Sequence, residues 1–545
     1  MTDTTGTTPW WKGATIYQIY PRSFADSNGD GIGDLPGITA HLDYVASLGV
    51  DAIWLSPFFT SPQADFGYDV SDYRDVDPIF GTLGDCDALI ARAHALGLRV
   101  IVDMVWSHTS DAHPWFADSR ASRTNDRADW YVWADAKPAG SPPNNWQSVF
   151  GGPAWTWDAR RGQYYLHNFL SGQPQLNGHH PAVQAELLDI ARFWLDRGVD
   201  GFRLDAINFM MHDPALTDNP PAPDDGTPRT RPFDFQLHQY NQSHADIPAF
   251  LERVRALLDG YDGDRFTVAE IGGADSDREM KLFTAHDRRL NTAYGFDFLY
   301  APRLTARAVR DALDKWPVDQ SWPSWAFENH DAPRAVSRWA NEADRDAFAR
   351  VKMLLLAALR GNIFLYYGEE LGLPQVDVAF EDLQDPEAIA NWPQTLSRDG
   401  ARTPMPWRAD APNLGFGTAP PWLPVGPAHR PMAVDRQAAD PESLLAWTRR
   451  VLALRRDHPA LLTGDLRFID TNHDILAFER ITGDERLLCV FNLGDAAVDF
   501  LPPVPIVDRL IETGDVGATA LGPYAAYIAV LDGAYIAVLD GQEPS

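Results

Sequence analysis

The chain has 545 residues, 45% of them hydrophobic, with 19 Trp, 17 Tyr and 27 Phe, enough apolar material for two or three packed domains. Its 76 acidic against 46 basic residues give a formal charge of -30, which repels nucleic acid and anionic membrane and is indifferent to a neutral small molecule. The two cysteines, Cys86 and Cys489, lie far apart and offer neither a disulfide framework nor metal-ligand spacing.

The start, MTDTTGTTPWWKG, has no basic n-region or apolar h-region, and no run is long enough to span a bilayer, so a cytoplasmic location is expected. A first β-rich run, ATIYQIYPRSF, leads into DSNGDGIGD, where Asp26, Asn28, Asp30 and Asp34 crowd oxygen-bearing side chains into a glycine-rich turn. An EF-hand is excluded, because its twelfth position would be Gly37, which has no side chain, and the preceding run is not helical. Two readings remain: a site for a hard cation such as Ca²⁺ or Mg²⁺, or a solvated acidic loop.

Seven further runs follow: DAIWLSPFF, LRVIVDMVWSH, VDGFRLDAINF, FTVAEIG, AYGFDFLY, PSWAFENHD and NIFLYYGEELG. Between them lie stretches of helical periodicity, among them ITAHLDYVASLG, DALIARAHALG, VQAELLDIARFWLDRG and AFLERVRALLDG, each stopping at Gly. Eight strands with crossovers predict an α/β fold, a (β/α)₈ TIM barrel closed on itself rather than a doubly wound sheet. The barrel takes 1–108 and 178–460. Residues 109–177, rich in Trp, Tyr, Pro, Gly and Asn and without a clean amphipathic helix, are an inserted subdomain after strand three. A Pro-rich excursion, HDPALTDNPPAPDDGTPRTRPFDF, follows strand four on the same face. From 461 to 545 the runs LRFIDT, ILAFERI, RLLCVFNL and AYIAVLD predict a separate all-β domain, a β-sandwich. AYIAVLDG occurs twice in tandem, from Ala526 and from Ala534; one strand suffices, so the second copy is expected to be peripheral.

In such a barrel chemistry belongs at the C-terminal strand ends. GFRLDA ends at Asp205, with Arg203 two residues earlier on the same face to hold it ionised. FTVAEIG ends at Glu270 after an apolar run that would desolvate it and raise its pKa. WAFENHDAPR brings His330 and Asp331, and VIVDMVWSH brings Asp103 and His108. One ionised carboxylate, one protonatable carboxyl and a third acid are the equipment for cleaving a glycosidic bond. No Ser-His-Asp order, phosphate-cradling loop or zinc cluster competes for those positions.

The four stretches VIVDMVWSH, GFRLDAINF, VAEIG and FENHDAPR resemble the signature regions of the α-amylase superfamily of retaining glycosidases, and IYQIYPRSFADSNGDGIGDLPGI, DFGYDVSDY and RDGARTPMPW resemble its α-glucosidase (maltase) and oligo-1,6-glucosidase branch. The resemblance implies Asp205 as nucleophile, Glu270 as general acid/base and Asp331 as transition-state stabiliser. It implies that Asp65, Tyr68, His108, Arg203, His330 and Arg402 contact the glucosyl unit, with Arg402 and Asp65 clamping its far hydroxyls. Phe150 and Phe169 would stack on sugar faces at the entrance. It gives the first loop a structural Ca²⁺ or Mg²⁺ on Asp26, Asn28, Asp30, the Ile32 carbonyl and Asp34, with no organic cofactor. Departures stand out: Ser107 where Asn is usual and Gln175 where Asp is commoner argue against a second metal between barrel and inserted subdomain, and Tyr367 replaces a commoner Gln. Ala206, after the nucleophile, is small, which in this branch goes with α-1,4 rather than α-1,6 linkages. The expected substrate is therefore a small neutral maltose-like glucoside; glucosyl transfer, sucrose isomerisation, an oligo-1,6-glucosidase and a non-catalytic binding subunit are the alternatives.

Overall fold

Eight short parallel strands form one sheet in the computed structural model, which describes residues 8–531 except 225, 227, 228, 274, 286, 287, 317–321, 395, 396, 472–474 and 484. They are β1 (Thr15–Ile19), β2 (Ala52–Leu55), β3 (Arg99–Val105), β4 (Gly201–Asp205), β5 (Phe266–Glu270), β6 (Thr292–Tyr294), β7 (Ser324–Ala326) and β8 (Asn362–Tyr366). The order is β6-β5-β4-β3-β2-β1-β8-β7. One parallel bridge, Ala293 to Pro323, and the Ser324 hydroxyl donating to Thr292 at 2.8 Å close the seam between β6 and β7. The predicted barrel is therefore present.

Apart from Arg99, every strand residue is buried, as expected of a parallel sheet covered on both faces. Alternation sorts them: Ile16, Ala52, Trp54, Ile101, Phe266, Val268 and Phe364 fill the interior, while Tyr17, Ile19, Ile53, Val100 and Phe202 pack outward on the helices. The helices start where the sequence marks them. Thr82 and Asp85 form a reciprocal capping box for α1 (Leu83–Ala95), and α2 (Pro181–Asp196) begins with Pro at its first position. Gly97 and Gly198, at φ +80° and +100°, end these two turns in the left-handed region. The third helix, α3 (Ile247–Leu258), packs on α2.

The insertion contains a three-stranded antiparallel sheet (Trp133–Ala134, Trp155–Asp158, Gln163–Leu166). It also has a short helix, Pro114–Ala121, which the sequence reading missed; its buried face is only Trp115, Phe116 and Ser119, too brief for a periodic signal. The C-terminal region carries a five-stranded antiparallel sheet, including the strand Ile506–Thr513 that the sequence reading did not mark. One sheet face packs on the barrel's helical shell through Leu476, Phe478 and Cys489. The other meets a two-stranded ribbon through Ile475, Val490 and Leu521, so the second layer of the expected sandwich is small. The first copy of the tandem octapeptide supplies the strand Ala526–Leu531; the second lies outside the described residues.

Candidate active site

The site is assembled around one guanidinium. Arg203 on β4 pairs in register with Asp103 on β3 and, two residues before the strand end, shares a face with Asp205. The Arg203 side chain is fully buried, and its Nη1 donates to Asp205 Oδ1 at 2.5 Å and to Asp103 Oδ1 at 2.8 Å. Its Nη2 lies 2.5 Å from Glu270 Oε2 at the end of β5, without the angular alignment of a hydrogen bond. Tyr294, opposite Glu270 in register on β6, accepts from Arg203 Nε at 3.2 Å and donates to Glu270 Oε1 at 3.3 Å. Thus the two carboxyl groups are separated by no more than the span of one guanidinium and its two contacts.

Three carboxyls around one cation cannot all ionise cheaply. Burial pushes Glu270 up to about 7, with Arg203 opposing it, and likewise raises Asp205 to about 7 against Arg203 and Asp103 to about 6. Alignment breaks the tie. Asp205 and Asp103 receive well-formed charge-assisted hydrogen bonds, which favour their anions, whereas Glu270 receives only the long Tyr294 contact and the Ala206 N–H at 3.4 Å. The shared proton accordingly belongs on Glu270.

Asp331 sits in the opposite environment. Burial would raise it, but His330 Nε2 at 3.2 Å, Arg402 at 2.7 Å and Arg398 at 3.3 Å outweigh burial and hold it well below the usual carboxylate range. His330 is fully buried, which lowers its pKa to about 3, so the ring is neutral. Because Gln18 Nε2 can only donate to its Nδ1 at 2.8 Å, its proton lies on Nε2, facing Asp331 and the Tyr68 hydroxyl at 2.6 Å. Tyr68 stacks on His330 with ring centroids 5.3 Å apart and donates to Asp103 at 3.0 Å.

A cavity of about 620 Å³ opens over these groups. Asp205, Glu270 and Asp331 line it, as do Asp65, Tyr68, His108, Phe150, Phe169 and Ala206. Phe150 and Phe169 lie at 5.8 Å edge to face, and Phe169 also approaches His108 at 5.1 Å. Arg203, His330 and Arg402 stand behind the wall, each at most 1% exposed. Arg402 reaches Asp331 and the His330 carbonyl, and the side chain paired with Asp65 is Arg398, at 3.0 Å. Arg398, which lines the cavity and also holds Asp385 at 2.8 Å, opens the stretch RDGARTPMPW four residues before Arg402; two arginines at helical spacing were the available signal. Gln173 was missed too, and no sequence feature marks it; it donates to Asp65 at 3.0 Å. Ala206 adopts φ 38° and ψ 42°, a left-handed conformation that is costly for a residue with a Cβ.

The Pro-rich excursion closes one side. Asn219 and Asn145 exchange hydrogen bonds at 2.8 and 2.9 Å, Trp146 Nε1 donates to the Thr217 carbonyl, and Arg231 and Phe233 reach the cavity wall. Where a metal between barrel and insertion was argued against, neutral amides stand instead: Asn241 donates to Asn168, Asn168 to Gln175, and Gln175 to the Phe209 carbonyl at 2.7 Å.

The first loop offers only oxygen donors, the type that suits a hard cation. A Cβ on Gly31, at φ +91°, would fall 2.2 Å from the Pro420 carbonyl, so the turn is pressed against the segment around Pro420. Its carboxylates serve the backbone: Asp26 accepts from Gly29 and Gly31, Asp30 from Ile32, and Asp34 from Gly37 at 2.6 Å. Asn28 and Asp30 are exposed.

Comparison with known proteins agrees with this geometry. A family model described as the alpha-amylase catalytic domain matches residues 18–464. A probable alpha-glucosidase of Rhizobium meliloti (strain 1021) is 52% identical over 499 residues, covering 90% of each chain. An oligo-1,6-glucosidase of Heyndrickxia coagulans is 36% identical, covering 96% of this chain and all of that one. The crystal structure of an alpha-glucosyl transfer enzyme superposes with a TM-score of 0.92 at 50% identity, covering 96% of this chain and all of that one.

Proposed function

The chain belongs to the alpha-amylase family, and on that premise we propose that it is a retaining, exo-acting α-glucosidase releasing α-glucose from short α-1,4-linked glucosides such as maltose. The observation that carries the reading is the buried Arg203, which brings the Asp205 and Glu270 carboxyls together over one cavity while favouring ionisation of the first. Glu270 protonates the leaving oxygen as Asp205 attacks the anomeric carbon from the opposite face, giving a β-glucosyl ester. Water, deprotonated by Glu270, then releases α-glucose. Two inversions amount to retention, which goes with carboxyl groups about 5–5.5 Å apart. Asp331, kept anionic by His330, Arg402 and Arg398, favours the oxocarbenium-like charge.

Asp65 and Arg398, paired at 3.0 Å, both line the cavity and would clamp the far hydroxyls of a terminal glucose, and Thr230, Arg231, Phe233 and Asp234 of the Pro-rich excursion narrow the same cavity; both support exo action on short substrates. The small Ala206 supports α-1,4 preference. A second reading, glucosyl transfer to hydroxyl acceptors alongside hydrolysis, is favoured by the rings of Phe209, Phe233, Phe296 and Tyr300 in the same wall, against which a carbon-rich acceptor can compete with water. The first loop, through Asp26, Asn28, Asp30, the Ile32 carbonyl and Asp34, would hold a Ca²⁺ or Mg²⁺ that fastens the turn and takes no part in bond cleavage. Proton NMR of early turnover of an aryl α-glucoside, in which all the glucose released comes from the bond the enzyme cleaves, tests the main reading. The new glucose should appear first as the α-anomer; first appearance as β would overturn it.

A further inference from the structure

On the same face of the barrel, away from the three acids, a second group of chemistry-bearing side chains converges. His179 leaves the inserted subdomain just before α2, and His244 and Asp246 precede α3. Their ligand atoms all lie within 4.8 Å of one another, the only such set of three acids, imidazoles or thiols among the described residues. His179 Nδ1 is 3.7 Å and His244 Nδ1 3.6 Å from the same oxygen, Asp246 Oδ2.

The lone pairs make this arrangement unusual. His179 Nε2 lies 2.7 Å from the His212 carbonyl, which can only accept, so the ring proton is on Nε2 and Nδ1 of the neutral ring is bare. His244 Nδ1 accepts the Asp246 N–H at 3.3 Å, so it too presents a lone pair. The bare nitrogen of His179, the His244 lone pair held only by that long backbone contact, and a carboxylate oxygen therefore converge, and a cation would have to draw the His244 lone pair away from the Asp246 N–H. The two nitrogen-to-oxygen separations, 3.7 and 3.6 Å, exceed hydrogen-bond length and approach the edge of a tetrahedron, about 3.3–3.5 Å, around a zinc ion with bonds of about 2.0–2.1 Å. The His179 bond to a backbone carbonyl is the orienting contact that metal-bound imidazoles characteristically make. Beside it, the ring of His212, 6% exposed, packs edge to face on His179 at 5.5 Å, and its Nδ1 has no partner.

We propose that His179, His244 and Asp246 form a binding site for a borderline divalent cation such as Zn²⁺, with the fourth position left to water. Nitrogen ligands distinguish it from the all-oxygen first loop. The cation fastens the exit of the inserted subdomain to the segment that carries His238 and Gln242 into the cavity wall. Its role is to brace that wall.

The test uses the full-length, untagged protein stripped of metal. Co²⁺ titration should give visible ligand-field bands saturating at one equivalent and displaced by Zn²⁺, with Ca²⁺ and Mg²⁺ failing to compete. His244→Gln and Asp246→Asn, both at accessible side chains, should keep the wild-type circular dichroism spectrum and metal-free activity while weakening Co²⁺ binding at least tenfold. Zn²⁺ should raise the thermal midpoint of the wild type and not of these variants. Absence of the bands in the wild type, or unchanged Co²⁺ affinity in both variants, overturns the proposal.

Discussion

Arg398 Nη2 lies 3.0 Å from Asp65 Oδ1, joining the RDGARTPMPW stretch to the loop after β2 across 333 residues of chain. The same guanidinium holds Asp385 and touches Asp331. Removing it leaves buried carboxylates without their counter-ion, a loss of about 3–5 kcal/mol. Arg398→Ala should lower the melting temperature and reduce kcat/KM on maltose by at least about 100-fold, whereas Arg398→Lys, restoring charge without the fork, should recover stability more than activity. Calorimetry and initial rates measure both.

The acid Glu270 must be protonated and the nucleophile Asp205 ionised, so kcat/KM should be bell-shaped in pH, with the pair titrating as a unit. Glu270 is raised to about 7 by burial, and loss of its proton gives the alkaline limb near neutrality. Glu270→Gln should abolish that limb when measured with an aryl glucoside whose leaving group needs no protonation. A limb unchanged in that variant would assign it to another group.

Ala206 combines a small side chain with φ 38°. Ala206→Val is expected to shift the ratio of isomaltose to maltose turnover upward, because its methyl groups enter the space beside the leaving sugar. The branched Cβ in a left-handed conformation should also cost about 1–2 kcal/mol of stability. Substrate panels and denaturant melts separate the two effects.

Chelation should lower the melting temperature by a few degrees through the first loop, with Ca²⁺ or Mg²⁺ restoring it. Asp30→Ala, at an exposed residue, should lose that response to Ca²⁺ and Mg²⁺ while keeping kcat. Equal responses in wild type and variant would remove the cation from the loop.

The acids at the strand ends were legible because strand termini and period-two alternation fix where Arg203, Asp205 and Glu270 point, whatever the loops do. Arg398 and Gln173 were not, because Arg398 sits on a single 3-10 turn and Gln173 in a turn of the insertion, and where each of these short elements docks depends on packing. The short helix Pro114–Ala121 was invisible for a related reason: Pro and the His113 cap start it, but two turns bury too few side chains to print a period. The handedness of Ala206 likewise depends on the tight exit from β4 into the next turn and leaves no trace in composition.

The relay from Asn241 through Asn168 and Gln175 to the Phe209 carbonyl is made entirely of uncharged groups. Nothing in it gains or loses a proton between pH 4 and 10, and nothing in it can be stripped by EDTA. This relay should therefore hold in acid and in chelator alike, so an enzyme weakened by those treatments will have given way elsewhere, at the His179–His244–Asp246 cluster or the first loop rather than here.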